Sequence, residues 1–374
     1  MYSKIIIDTI LRSNLTEEDV NCFYTYITMK GNTHHKIHLD IIRNTKICKK
    51  IYCGLTNVNN QIIELFLDCR YTSQNEPFLE SHECFNFNTW IDLKTVLTHS
   101  NNKLLKLIIY AEKYELQILP TIRSALKSQN TKLTCLCLDK FNVKYPHELR
   151  DLFLGLLHPN NFIQELELTN LNTLYFEDFY IGLTDVLNDH HLCKITYLSL
   201  YGTPITNSML TIDLIGSISQ SKIIRLNIAK TQMDMRTINE VFGLIHNNSS
   251  QLKFLTIGED QFDDFILNEL VDRRTFNLNL LEITGYYTHL IPEMFMIIID
   301  TIHKIRINTP LQISYPSFNL DYERKVLKKT KAIKNKQECL WILCSAFTCS
   351  TITSKSKFKK FPIDLTRKVG EFIA

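Results

Sequence analysis

Between residues 104 and 307 the chain repeats one six-residue pattern, apolar-x-x-apolar-x-apolar, and it does so at a nearly constant interval. The copies are Leu104-Leu107-Ile109, Leu133-Leu136-Leu138, Ile163-Leu166-Leu168, Ile195-Leu198-Leu200, Ile223-Leu226-Ile228, Leu252-Leu255-Ile257, Leu278-Leu281-Ile283 and Ile302-Ile305-Ile307. A pattern this loose arises by chance about once in thirty positions when roughly a third of residues are large and aliphatic. The spacing carries the information: successive copies start 29, 30, 32, 28, 29, 26 and 24 residues apart. Three earlier copies extend the series. Ile62-Leu65-Leu67 lies 42 residues before Leu104, leaving room for an insertion over 74–88, and His34-Ile37-Leu39 and Tyr2-Ile5-Ile7 precede it with a non-aliphatic first position. A fixed interval makes each copy one structural unit that cannot bury its own apolar face and must stack on its neighbours.

Within each copy the apolar residues alternate, as in a half-buried strand. Between copies the period lengthens towards 3.6, as an outer helix requires. Thr16-Glu17-Glu18-Asp19 reads as a capped helix start ahead of Val20, Phe23 and Ile27. Residues 176–187 put Phe179, Leu183, Val186 and Leu187 on one face, and residues 235–245 do the same with Ile238, Val241, Phe242 and Ile245. Parallel strands sit about 4.8 Å apart whereas packed helices need about 8–10 Å. A stack of such units therefore bends, with the strands inside.

These residues resemble the ribonuclease-inhibitor-like class of leucine-rich repeats, whose units are of this length and carry an outer helix. The resemblance covers residues 1–310 and implies an α/β leucine-rich-repeat solenoid, a horseshoe with an inner parallel β-sheet and outer helices. It further implies a scaffold that binds a protein partner on the concave face. One departure stands out. The family places Asn or Cys three residues after the last strand leucine, to bond neighbouring turns, and this chain has Phe141, Leu171, Thr203, Thr231 and Asp260 there. A Ran-type GTPase activator is built on the same repeat class, so a GTPase regulator is an alternative reading, although no arginine-bearing loop of that kind stands out.

Alternation places the residues between and just after the apolar positions on the concave side. From these we take Tyr110, Glu165, Glu167, Tyr197, Tyr201, Arg225, Phe254, Lys304 and Arg306 as the candidate partner-binding residues. Tyr, Phe and Arg are over-represented where binding energy concentrates. Strands also favour aromatics for their own reasons, and acidic Glu165 and Glu167 opposed to basic Lys304 and Arg306 would equally suit a solvated face.

Other chemistries find little support. The 42 Lys and Arg against 39 Asp and Glu leave +3, too little for a chain built around nucleic acid. Phosphate-loop, zinc-protease, serine-nucleophile and dinucleotide motifs do not occur. Cys135-x-Cys137 with Cys193 invites a zinc reading, but structural zinc loops use two to four intervening residues. We expect no metal, no cofactor and no catalytic residue, hence an interaction protein and not an enzyme. His34-His35 and His190-His191 lack clustered partners and read as surface residues. The eleven cysteines form no disulfide framework, and no apolar run reaches the length of a membrane span. The apolar start is interrupted by Asp8 with no cleavage site after it. We therefore expect a cytoplasmic protein, in a host cell if its source is a pathogen.

Beyond residue 310 the composition changes, and residues 311–374 read as a basic linker and a helical C-terminal segment. Residues 324–336 are strongly basic, and the apolar stretch 338–351 suits a helix covering the last repeat. At 361–373, Phe361, Pro362, Ile363, Leu365, Val369 and Phe372 have amphipathic-helix spacing. This end resembles the opening of an F-box, and the shortened F-box-like ends of poxviral ankyrin-repeat proteins. That resemblance implies a dock on the adaptor of a cullin ubiquitin ligase, with the repeats selecting substrate. Phe361 stands where an F-box usually has Leu.

Overall fold

The strands occur where the repeat puts them. The structure, a computed structural model, describes residues 16–31, 35–40, 45–68, 87–111, 118–143, 145–205, 208–246, 250–258, 280–284, 311–314 and 340–342. Each strand begins two residues into its six-residue pattern: β1 (Lys36–Asp40), β2 (Glu64–Asp68), β3 (Lys106–Tyr110), β4 (Cys135–Asp139) and, after a two-residue β5 (Asn142–Val143), β6 (Glu165–Thr169). A short β7 (Asn172–Thr173) pairs with β5 in a second small sheet. Then follow β8 (Tyr197–Ser199), β9 (Arg225–Asn227), β10 (Phe254–Gly258), β11 (Leu280–Thr284), β12 (Leu311–Ser314) and β13 (Leu340–Ile342). The helices between them are α1 (Glu17–Thr28), α2 (Thr45–Leu55), α3 (Phe87–Thr98), α4 (Ile118–Leu126), α5 (Pro146–Leu156), α6 (Phe176–Asn188), α7 (Ser208–Gln220) and α8 (Met235–His246).

The chain divides into two compact units, Met1–Ile223 and Ile224–Ala374. In the first, β1, β2, β3, β4, β6 and β8 lie side by side, every pair parallel. The pairing register is the repeat itself: Ile37, Leu65, Leu107, Leu136, Leu166 and Leu198 stand opposite one another in turn. Leu65, Leu107, Leu136, Leu166 and Leu198 are all fully buried, each contributing about 1.5–3 kcal/mol. A slip of one residue would turn this whole apolar file to the other face, so burial alone specifies the register. In the second unit the same position runs Leu226, Leu255, Leu281, Leu311 and Leu340 across parallel β9 to β13.

Helices cover one face of the sheet. Helix α6 buries Phe179, Tyr180, Leu183, Val186 and Leu187, and α1 buries Val20, Phe23 and Ile27. The α1 start is a capping box, in which Thr16 Oγ1 accepts from the Asp19 amide at 3.2 Å and Asp19 Oδ2 accepts from the Thr16 amide at 2.9 Å. The Thr16 hydroxyl also donates to Asp19 Oδ2 at 2.7 Å, and this bond first, then the one from the Thr16 amide, holds the Asp19 carboxyl below its ordinary value. Gly182 lets α6 approach α5, since a Cβ there would lie 2.2 Å from the Phe153 ring.

The structure differs from the sequence reading near the C-terminus. Parallel pairing continues past residue 310, to β12, in register with β11, and to β13, in register with β12. The strand expected at 302–307 lies outside the described residues, as does the copy at 2–7. Within the stretch 338–351, expected as a helix, Leu340–Ile342 form a strand, and the rest of the stretch lies outside the described residues. The physical reason is legible in retrospect. Leu311-x-Ile313 and Leu340-x-Ile342 keep the two strand positions of the repeat, 29 residues apart, but Asn308 and Gln337 occupy its first apolar position, so the three-point pattern breaks.

Candidate interaction surface

Opposite the helices, the first unit's sheet presents three rows of side chains, one from each alternate strand position. The first row is Lys36, Glu64, Lys106, Cys135, Glu165 and Tyr197; the second is His38, Phe66, Ile108, Cys137, Glu167 and Ser199; the third is Asp68, Tyr110, Asp139 and Thr169. Lys106, Tyr110, Glu165, Glu167 and Tyr197 are all half-buried. Lys36 Nζ meets Glu64 Oε2 at 2.7 Å, and the His38 ring stands edge-on to Phe66 with centroids 4.1 Å apart.

Charge on this face is arranged around β4. Partial burial works to lower the Lys106 pKa, but the charges of Cys135, Glu167 and Glu64 outweigh it and the net direction is up. Burial, then the neighbouring carboxylates against the opposing pull of Lys106, pushes the Cys135 thiol up to about 12. Burial and the charge of Glu167 push Cys137 up as well. Thiols held protonated in this way are poor metal ligands, because zinc takes the thiolate. Cys193 lies away from both, before β8, buried and pushed upward by desolvation while the Ile195 amide bonds to its sulfur. Among the described residues no group of three or more His, Cys, Asp or Glu could hold a metal ion.

The expected site residues do not form one cluster. Glu165 and Tyr197 are direct register partners, with Glu167 one alternation further along β6. Tyr201 follows the end of β8 in a turn, where its carbonyl accepts from the Asn170 amide at 2.7 Å. Tyr110 is three strands from β8, roughly 14 Å at the usual strand spacing, and sits under Lys140, whose Nζ is 5.2 Å from the ring centroid. Beside it Asp139 Oδ1 accepts from Thr169 Oγ1 at 2.7 Å and Asn170 Nδ2 at 2.8 Å. In the second unit Arg225 and Phe254 are register partners and both are exposed. Lys304 and Arg306 lie outside the described residues, and so do Phe361, Pro362, Ile363, Leu365, Val369 and Phe372.

Sequence reasoning missed the residues that tie the repeats together. It looked for a polar side chain after the strand, but the recurring one comes before it, two residues ahead of the first apolar position. Asn60, Asn102 and Asn161 are buried there. Each donates from Nδ2 to a carbonyl at the preceding helix end, Leu55, Leu97 or Leu156, at 2.7–3.0 Å. Each accepts at Oδ1 from the amide of Ile62, Leu104 or Ile163 at 2.9 Å. Thr131, Cys193, Ser221 and Ser250 occupy the same step and are also buried. The residue before it bonds sideways: Asn59, Asn101, Asn130 and Asn160 donate to the carbonyls of Thr28, Thr56, Thr98 and Lys127 in the preceding repeat. The signal was present in the doublets Asn59-Asn60, Asn101-Asn102 and Asn160-Asn161. At the position first suspected, Phe141 and Leu171 fill apolar space, while Thr203 Oγ1 donates to the Leu168 carbonyl at 2.8 Å and accepts from the Leu171 amide at 3.1 Å.

No family model matches the chain, and no curated protein matches it.

Proposed function

We propose that the chain is a leucine-rich-repeat solenoid of the ribonuclease-inhibitor-like class that acts as a protein-interaction scaffold and binds its partner on the strand face. The observation that carries this reading is the register. Equivalent residues of successive units stand opposite one another, helices take one face of the sheet, and the other face keeps Glu165, Glu167, Tyr197 and Tyr110 half-exposed. Partly exposed aromatic and charged side chains spread over one face of a sheet suit recognition of a folded surface better than a buried small-molecule site.

The test is site-specific photo-crosslinking in cells. A crosslinker at Tyr197 or Glu165 should capture a defined protein, and one at exposed Ile91 on α3 should not. Tyr197→Ala should weaken the captured complex by about 1–3 kcal/mol, as truncation of an aromatic anchor does. Capture from Ile91 alone would move the site to the helices. A second reading rests on Phe361, Pro362, Ile363, Leu365, Val369 and Phe372: with an F-box-like end, the scaffold would serve as the substrate receptor of a cullin-type ubiquitin ligase.

A further inference from the structure

Because the strands of the first unit are parallel, every loop that runs from a helix into a strand arrives at the same edge of the sheet. Backbone bonds stack these loops rung on rung: the amides of Ile63, Leu105, Thr134, Gln164 and Thr196 each donate to a carbonyl of the preceding loop, all at 2.8 Å. Along this edge stand Lys30, Lys103, Lys127, Lys132, Lys194 and Lys222, and among the described residues of these loops Asp189 alone is acidic. The opposite edge carries the reverse sign, with Glu17, Glu18, Asp19, Asp139, Glu148, Glu177 and Asp178 at or near helix starts against Lys46 and Lys140.

Helix macrodipoles account for part of this polarity. Each C-terminus contributes about half a negative charge, so the seven described helices ending here offset on the order of three to four of the lysine charges and leave the edge positive. Several ammonium groups are fixed in place. Lys103 Nζ donates to the Val58 carbonyl at 3.3 Å, Lys194 Nζ to Asn161 at 2.6 Å, and Lys222 Nζ to His190 at 2.7 Å. Lys194 also reaches the Pro159 carbonyl at 3.4 Å and Lys222 the Cys193 carbonyl at 3.2 Å, and since an ammonium has three donors, each of the three lysines keeps at least one for another ligand.

The same edge exposes apolar side chains. Met29 is 55% exposed, Val58 67% and Phe162 45%. Two of them are coupled to cations: Lys103 bonds the Val58 carbonyl, and Lys194 Nζ lies 4.2 Å from the centroid of the Phe162 ring. We infer that this helix-to-strand edge is a second docking surface, for an acidic protein segment that also carries apolar side chains. A polyphosphate chain would engage the lysines and leave Met29, Val58 and Phe162 in water; an acidic, apolar peptide satisfies both sets.

The probe is a fluorescent synthetic peptide of alternating Glu or Asp and Leu or Phe, titrated against the full chain by anisotropy. It should bind, and weaken about tenfold between about 50 and about 300 mM salt. Lys127→Gln combined with Lys132→Gln, which leaves the bonds of Lys103, Lys194 and Lys222 in place, should cost about tenfold in affinity and flatten the salt dependence. Phe162→Ser should weaken binding without changing the salt slope. Glu177→Gln with Asp178→Asn on the opposite edge, and Tyr197→Ala on the strand face, should leave it unchanged. The inference is overturned if the peptide does not bind, if replacing its acids with Lys binds equally well, or if the lysine variant binds as the native chain does. Tighter binding of a single-stranded oligonucleotide would overturn the protein assignment. None of these outcomes bears on the strand-face crosslinks.

Discussion

At the scale of single residues, stability is concentrated in side chains that look unremarkable in composition. Asn161 joins the end of α5 to the approach to β6 through two buried bonds, to the Leu156 carbonyl and from the Ile163 amide. Asn161→Ala leaves both backbone groups buried without that partner, so it should cost about 2–5 kcal/mol. Asn160→Ala removes one half-buried bond to Lys127 and should cost about 1 kcal/mol. Urea midpoints of the two variants decide it, and a larger loss at Asn160 would reject the account. Cysteines divide as sharply. At pH 8, alkylation followed by mass spectrometry should find exposed Cys22 and Cys53 modified and buried Cys135, Cys137 and Cys193 protected until the chain unfolds. Since the folded Cys135 pKa is raised from 9.0 to about 12, the unfolded chain loses that proton first. Its contribution to stability is whole below pH 9.0 and declines as pH rises towards about 12.

At the scale of elements, four strands are followed by the same device. Lys140 and Asn170, directly after β4 and β6, and Gly202 and Lys230, three residues after β8 and β9, take a left-handed conformation with φ of 51°, 50°, 65° and 58°. This turns the chain out of the sheet towards the next helix. Non-glycine residues tolerate it at a cost of about 1–2 kcal/mol, but Gly202 is further constrained, because a Cβ there would lie 2.1 Å from Asn170 Oδ1. Asn170 cannot simply yield, since its Nδ2 is bonded to Asp139. Gly202→Ala should therefore destabilise by about 2–4 kcal/mol, more than the backbone term alone. A thermal melt in which Gly202→Ala matches the native chain would show that the Asn170 side chain moves aside freely.

At the scale of the molecule, contacts run from each repeat to the next, as the pairwise register and the side-chain bonds between adjacent loops require. Stability in such an array sums over units and interfaces, so a terminal segment can be removed without unfolding the middle. This makes the C-terminal reading testable by deletion. If residues 361–374 dock on a ubiquitin-ligase adaptor, removing them should abolish co-purification of the adaptor and cullin and leave the melting of the first unit unchanged. If they instead pack on the repeats, the deletion should lower stability, as Leu365, Val369 and Phe372 would each forfeit about 1.5–3 kcal/mol of burial. Unchanged binding and unchanged melting together would reject both.

The repeat interval by itself determined where the main-sheet strands β1 to β4, β6 and β8 to β11 lie, and that helices alternate with strands in the first unit. That information is local, because alternation within a strand and a fixed spacing between strands say which side chains need a common interior. Tertiary structure decided the rest. Which polar side chain bonds the turns depends on the backbone groups that a helix end and a strand start leave unpaired. That is why Asn60, Asn102 and Asn161 carry the role and Phe141 and Leu171 do not. The separation of Tyr110 from Tyr197 follows from counting strands laterally, which no single repeat records. The strands at Leu311 and Leu340 escaped the pattern because pairing with an existing sheet edge needs only the two residues that face the core, not the third that the six-residue motif demands.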